Sequence, residues 1–174
     1  FLGTLEFFPE EGKYHYDGHR ACGVRLHPEE AAALGGRCPV CRGKLTGGVY
    51  GRVVELADRP DGARPACARQ FERLVPLREI LAEMLDAGPS TKKTETLLER
   101  VIAGLGPELD VLRLVPLEDI ARVAGPLAAE AVRRTRAEEL SIDPGYDGEF
   151  GTVRIFGPGE RESGAGQIFF LGPE

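Results

Sequence analysis

The chain has 174 residues, 42% of them hydrophobic, with a formal net charge of −6 and a sequence pI near 5.2. That length buries one ordinary core or two small ones, and the acidic balance argues against a generic polyanion-binding domain, although a local basic stripe stays open. No apolar run approaches the roughly 20 residues that span a bilayer, no basic-then-apolar signal layout opens the chain, and cysteines without such a signal point to a reducing, cytoplasmic setting.

Phe1 is not an initiator Met, which places the start inside a longer reading frame or after a cut. Residues 1–17 open with the alternating apolar stretch Leu2 to Phe8 and predict a terminal strand followed by a turn. Residues 18–58 hold a Cys/His cluster. Inside it, Pro28 to Leu34 predicts a short helix, with Pro near its first position, Glu29 and Glu30 in its first turn and Gly35-Gly36 at its end. Val49 to Leu56 reads as a strand, with Val53, Val54 and Leu56 only partly alternating. Residues 59–75 are rich in turn formers and serve as a connector, or as an ordered loop laid over a neighbour.

A helical domain is predicted over 76–140. Pro76 starts a helix with Leu77, Ile80, Leu81, Met84 and Leu85 on its apolar face, and Gly88-Pro89 stops it. Ser90 caps the next helix, which turns Leu97, Leu98, Val101, Ile102 and Leu105 to the core. Glu108 to Leu114 is short and of ambiguous type; Pro116 to Val123 and Pro126 to Leu140 are two further helices around Gly125. From Ser141 to Glu174 the tail holds a turn-rich loop, Asp143 to Gly151, and a strand, Val153 to Phe156. The run Ile168 to Leu171 is its expected hairpin partner, and the glycine-rich interval 157–166 between them is expected to be mobile. The fold class is α+β: a small metal-binding module, a mostly helical domain and a β-hairpin-like tail.

The strongest chemical signal is two knuckle-like pairs, His19-x2-Cys22 and Cys38-x2-Cys41, separated by fifteen residues. A two-residue gap lets both ligands of a pair face one metal while the backbone turns beneath them. Four such donors complete a tetrahedral, structural Zn2+ site and leave no position for a catalytic water. His15, four residues before His19, is the alternative fourth ligand. The competing reading is that the cysteines are small buried hydrophobes; Cys67 stands alone as a free thiol.

Glu6 to Arg20 (EFFPEEGKYHYDGHR), Cys22 to Leu26, Cys38-Pro39-Val40-Cys41, Arg52 to Arg59 and Pro144 to Gly151 (PGYDGEFG) occur in the order found in the endonuclease Q family. The chain resembles the part of that family that follows its catalytic domain, and the resemblance covers nearly the whole length. It implies a DNA-repair protein in which an N-terminal polymerase-and-histidinol-phosphatase (PHP) domain cleaves phosphodiesters with a metal cluster. The family nicks DNA 5′ of uracil, hypoxanthine and abasic sites, and some bacterial relatives are fused to a UvrD-like helicase. On this resemblance, residues 1–17 are the last strand and exit of the PHP domain, and 18–58 the zinc-binding module. The catalytic His and Asp ligands are expected before Phe1. With three histidines and no such cluster, the chain by itself is expected to be inactive as a nuclease. Walker-type loops are also absent.

Candidate DNA contacts are Arg20, Arg25, Arg37, Arg42 and Arg52, which with Lys13 and Lys44 give the zinc module a basic excess, and Arg133, Arg134 and Arg136 on one helix. Tyr146 and Phe150 are candidates for stacking on a base. The segment Ile120 to Val132 loosely resembles a helix-hairpin-helix, although a packing hairpin explains it equally. Asp147 and Glu149 suit a cation, a displaced base or simply turn caps. The expected partners are lesion-bearing duplex DNA and the upstream PHP domain, with no membrane. A protein-interaction adaptor for a helicase or sliding clamp is the alternative, and a folding scaffold for the PHP domain a third.

Overall fold

The computed structural model describes residues 1–60 and 62–161. It is α+β, and its described residues divide into two units, Phe1–Glu72 with Ile142–Val153, and Arg73–Ser141 with residues 154–161. Three two-stranded sheets occur among the described residues.

In the first unit β1 (Gly3–Glu6) pairs with β4 (Gln70–Arg73), so the predicted connector carries a strand at its end. β2 (Asp17–His19) and β3 (Val24–Leu26) pair antiparallel, with Gly18 opposite Arg25 and His19 opposite Val24. α1 (Pro28–Ala33) forms where its local signals place it. His27 Nδ1 accepts the Glu29 N–H and Glu30 Oε2 accepts the His27 N–H, a reciprocal cap. At its other end the Gly36 N–H reaches Ala31 O and the Gly35 N–H reaches Ala32 O, both 2.9 Å. That ending needs left-handed residues after the helix, which the glycines supply at φ 60° and 68°. Ala31, Cys38 and Leu45 form a small buried core, with Cys22, Val24 and Leu26 packed on it.

Val49–Leu56 is a helix, α2, and not the strand predicted from its apolar pattern. Its orphan N–H groups are satisfied from elsewhere in the unit: Gly48 by Asp17 Oδ1 at 2.6 Å, Val49 by Tyr14 O and Tyr50 by His15 O. A Cβ at Gly51 would lie 3.0 Å from both Asp17 carboxylate oxygens, so only glycine leaves room for this cap. Asp17 is itself buried, at 8% exposure. Replacing it with Ala removes the acceptor and strands the Gly48 N–H, for an expected loss of about 2 kcal/mol in urea unfolding of the metal-loaded protein. An unchanged midpoint would show that α2 stands without this cap.

The second unit contains α3 (Leu77–Met84), α4 (Lys92–Leu105), α5 (Glu108–Arg113), α6 (Leu117–Ala124) and α7 (Pro126–Arg136). Leu77, Ile80, Val101, Val111, Ile120 and Val132 are among its fully buried side chains. Three predicted details change. Thr91, not Ser90, caps α4, because its Oγ1 accepts the Thr94 N–H while donating to Gly88 O. Ile102, expected in the core, is 41% exposed. α7 ends at Arg136 rather than Leu140, because Glu138 turns left-handed at φ 53°.

In the tail, β5 (Ser141–Asp143) pairs with β6 (Thr152–Arg154), closing the Pro144–Gly151 loop. The predicted partner Ile168 to Leu171 lies outside the described residues, as does the interval 157–166 beyond Arg161. Ile155 and Phe156 are buried in the second unit, where Glu83 Oε1 accepts both their N–H groups at 2.9 Å.

Candidate metal centre and nucleic-acid interface

His19 ends β2, and the 3-10 turn Arg20–Cys22 carries the chain back so that Cys22 faces the same point. The second pair sits on a tight loop closed by the Cys38 N–H to Gly43 O and the Arg42 N–H to Cys38 O, with the Gly43 N–H directed at Cys41 Sγ. Two reciprocal bonds between Gly18 and Thr46, 3.0 and 2.8 Å, bring the loops together. One donor atom from each of His19, Cys22, Cys38 and Cys41 then lies within 4.8 Å of all the others, and Cys41 Sγ is 3.7 Å from His19 Nδ1. A tetrahedral ion with metal–sulfur bonds near 2.3 Å and metal–nitrogen bonds near 2.1 Å spaces its donors by about 3.5–3.8 Å. The residues present therefore fit a metal ion.

The thiols differ in acidity. Cys22 is pushed up to about 11, first by its hydrogen bond to Cys41 and then by burial. Burial is the largest single influence on Cys38 and raises it, but hydrogen bonds from the Cys41 and Val40 backbone and with the Cys41 and Cys22 side chains together bring the thiol down to about 7.

His15 is placed elsewhere. Its ring stacks on Tyr16 and Tyr50, at 5.4 and 5.6 Å between centroids, while His27 meets Tyr16 and Tyr50 edge-on.

The Pro144–Gly151 loop belongs to this same unit, which its position in the chain did not disclose. Tyr146 to Glu149 is a hairpin of two mutual backbone bonds around Asp147 and Gly148, at φ 42° and 90°. Two consecutive positive φ angles are the signature of the primed turn that Asp-Gly favours, so those two letters were the available signal. Asp147 Oδ2 accepts the Arg20 N–H at 2.6 Å, and Glu149 pairs with the Arg20 side chain at 3.0 Å. Hydrogen bonds to Thr46 and to the Arg20 backbone hold the Asp147 carboxyl below its usual range. Both acids thus grip the first metal knuckle.

The predicted DNA contacts divide by environment. Arg25 pairs with Asp143, donates to Pro144 O and lies over the Tyr146 ring. That ring also packs on Gly18, where a Cβ would come within 2.3 Å of Tyr146 Cδ2, and Tyr146 is half-buried. Arg52 pairs with Glu55 on the surface, and Arg37 donates to Arg42 O. Among the described residues, Lys13, Arg37, Arg42 and Lys44 make no ion pair. Phe150 is 75% exposed.

The arginines of α7 serve their own unit. Arg133 is bound by Glu130 and Glu139, and Arg134 by Glu130, Glu160 and Ile155 O while lying over the Phe156 ring. The hydrogen bonds from Arg133, and behind them those from Arg134, hold the Glu130 carboxyl at about 2. Arg136 donates to the carbonyls of Val111, Leu112 and Val115. None of the three projects an unpartnered guanidinium.

The MJ0043 C-terminal domain family matches residues 76–139, within the helical unit. The uncharacterized protein MJ0043 of Methanocaldococcus jannaschii is 31% identical over 145 residues, which cover 83% of this chain and 18% of that protein. The uncharacterized protein YqxK of Bacillus subtilis is 28% identical over 147 residues, covering 84% of this chain and 34% of that protein. The lesion-specific endonuclease PfuEndoQ from Pyrococcus furiosus superimposes with a TM-score of 0.76 at 34% identity, over 87% of this chain and 37% of that one. Endonuclease Q in complex with a 27-mer duplex substrate carrying an abasic lesion at the active site gives 0.72 at 34% identity, over 90% of this chain and 38% of that one. The chain therefore spans well under half of the proteins it matches, and over most of its own length it is homologous in sequence and fold to endonuclease Q.

Proposed function

We propose that this chain is the zinc-binding, DNA-binding and non-catalytic portion of an endonuclease Q-like repair protein that nicks DNA 5′ of uracil, hypoxanthine or abasic sites. The observation that carries the reading is the match, over 90% of the chain, to an endonuclease Q holding a duplex with an abasic lesion. The donor set supports a structural Zn2+: three thiolates and one imidazole fill a tetrahedral shell, and no position remains for a hydrolytic water. Catalysis would then reside in a PHP domain joined to this chain.

The phosphate-facing surface is the second metal knuckle. Arg37 and Lys44 stand opposite each other in a bridge flanking Cys38 and Cys41, with Arg42 between them in sequence. No carboxylate occurs from Ala31 to Val54, so the net charge of −6 does not extend to this loop. Phosphate neutralisation releases counterions, so affinity should fall with salt by a slope of about −0.9 per phosphate contacted.

The test is binding of the zinc-loaded chain to duplexes with a single abasic site or deoxyuridine, across a salt series. Binding that weakens steeply with salt, and weakens further in Arg42→Glu and Lys44→Glu, is expected. Absence of binding at low salt would overturn the reading, and nicking by the chain with Mg2+ or Mn2+ would overturn its non-catalytic part.

A second reading, an adaptor for a UvrD-like helicase or a sliding clamp, is favoured by one feature. Val49, Val53 and Leu56 on α2 are 64%, 56% and 65% exposed. Nuclease-resistant binding to a purified helicase or clamp, lost in Val53→Glu, would favour it over DNA.

A further inference from the structure

We infer that Phe150, Tyr14 and Lys13 form a stacking surface for an unstacked nucleobase; the inference rests on the DNA-binding reading above and specifies where the base is met. A single exposed aromatic is ordinary on a protein surface. Here two share one ammonium, Phe150 75% exposed and Tyr14 44% exposed, with Lys13 Nζ 5.7 Å from the centroid of each ring. All three belong to the first unit.

The backbone around Phe150 is pinned on both sides. The Gly148 N–H donates to Lys13 O at 2.8 Å, the Gly151 N–H to Glu11 O at 3.1 Å, and the Gly145 N–H to Glu10 O at 2.8 Å. At Gly151 the packing is so close that a Cβ would fall 2.1 Å from Glu10 O. The ring is thus presented from an ordered support, so little conformational entropy is lost when it meets a partner. The neighbouring carboxylates Asp147 and Glu149 are engaged by Arg20, and the charge beside the two rings is the ammonium of Lys13.

Two exposed rings around a cation suit a group that is flat, π-rich and attached to an anion. A nucleobase with its phosphate has that chemistry: the base stacks on a ring and the ammonium meets the phosphate. Bases inside an intact duplex have their faces covered by neighbours. A missing or extruded base exposes the faces next to the gap, including that of the orphaned partner on the opposite strand. The surface should therefore contribute to lesion-bearing DNA and little to intact duplex.

The test uses the full zinc-loaded chain and a duplex with a tetrahydrofuran abasic site opposite 2-aminopurine. Stacking should lower 2-aminopurine emission on binding. Phe150→Ala is expected to abolish that change and weaken lesion-duplex binding about tenfold, a larger loss than for intact duplex. Phe150→Leu, which keeps apolar bulk without a π face, should behave like Phe150→Ala, and Phe150→Trp should restore both signals. Zinc content and hydrogen exchange of the 146–149 hairpin matching the unsubstituted chain would establish that the variants fold. If the unsubstituted chain binds with salt dependence but Phe150→Ala and Tyr14→Ala bind the lesion duplex equally well and emission stays high, this inference falls and the DNA reading stands. If the unsubstituted chain binds no DNA, both fall.

Discussion

Removing the metal, by chelation or by Cys38→Ser, is expected to unfold the first unit while the helices of the second stay folded. The apolar core around the cluster is small, with Ala31, Cys38 and Leu45 as its buried members, and Cys38 is itself a ligand. Binding of a structural zinc by small peptides is worth about 10–16 kcal/mol, comparable to the roughly 5–15 kcal/mol that stabilises a whole domain. The second unit has its own core of Leu77, Ile80, Val101 and Val132 and no share in the cluster. Hydrogen exchange read by mass spectrometry should therefore rise across residues 17–56 on chelation and stay slow in α4 and α7. It should also rise at the Tyr146–Glu149 hairpin, because Asp147 holds the Arg20 N–H inside the first knuckle. Equal protection before and after chelation would show that the core suffices without metal.

Arg136→Ala is expected to destabilise the second unit by about 3 kcal/mol and to leave DNA affinity of the folded protein unchanged. Three carbonyls lose a charged donor at once, those of Val111 and Leu112 in the last turn of α5 and that of Val115 beyond it. Burial holds the guanidinium below its ordinary range, as expected of a charge withdrawn from water to serve as a cap. Arg136→Lys keeps the charge but not the planar fork and should recover only part of the loss. Urea unfolding and fluorescence anisotropy on the same preparations separate the two effects. Unchanged stability with weakened DNA binding would return Arg136 to the DNA-contacting surface predicted from its sequence.

The α7 arginines and the second metal knuckle differ in what surrounds their charge. Arg133, Arg134 and Arg136 form the densest basic run in the chain, yet their partners Glu130, Glu139, Glu160 and the α5 carbonyls consume them. Arg42 and Lys44 are sparser in sequence and make no ion pair among the described residues. Hydropathy misleads in the same way at α2, where Val49, Val53 and Val54 suggest a strand and the helix depends on Asp17, 31 residues from Gly48.

By itself the sequence determined what short-range chemistry controls. The His19-x2-Cys22 and Cys38-x2-Cys41 spacing places two ligands on each turn, Pro28 and Gly35-Gly36 bound α1, and Pro76, Pro116 and Pro126 mark where α3, α6 and α7 begin. Each of these acts through a backbone angle or a donor within a few residues, so its trace is local. The tertiary structure alone decided that the Pro144–Gly151 loop lies on the first knuckle, through a bond between residues 127 positions apart. It likewise decided that His15 joins an aromatic stack instead of the metal cluster, and that Phe150 faces solvent while Tyr146 is packed. These outcomes rest on pairings between distant segments, and such pairings leave no periodic mark in the chain that makes them.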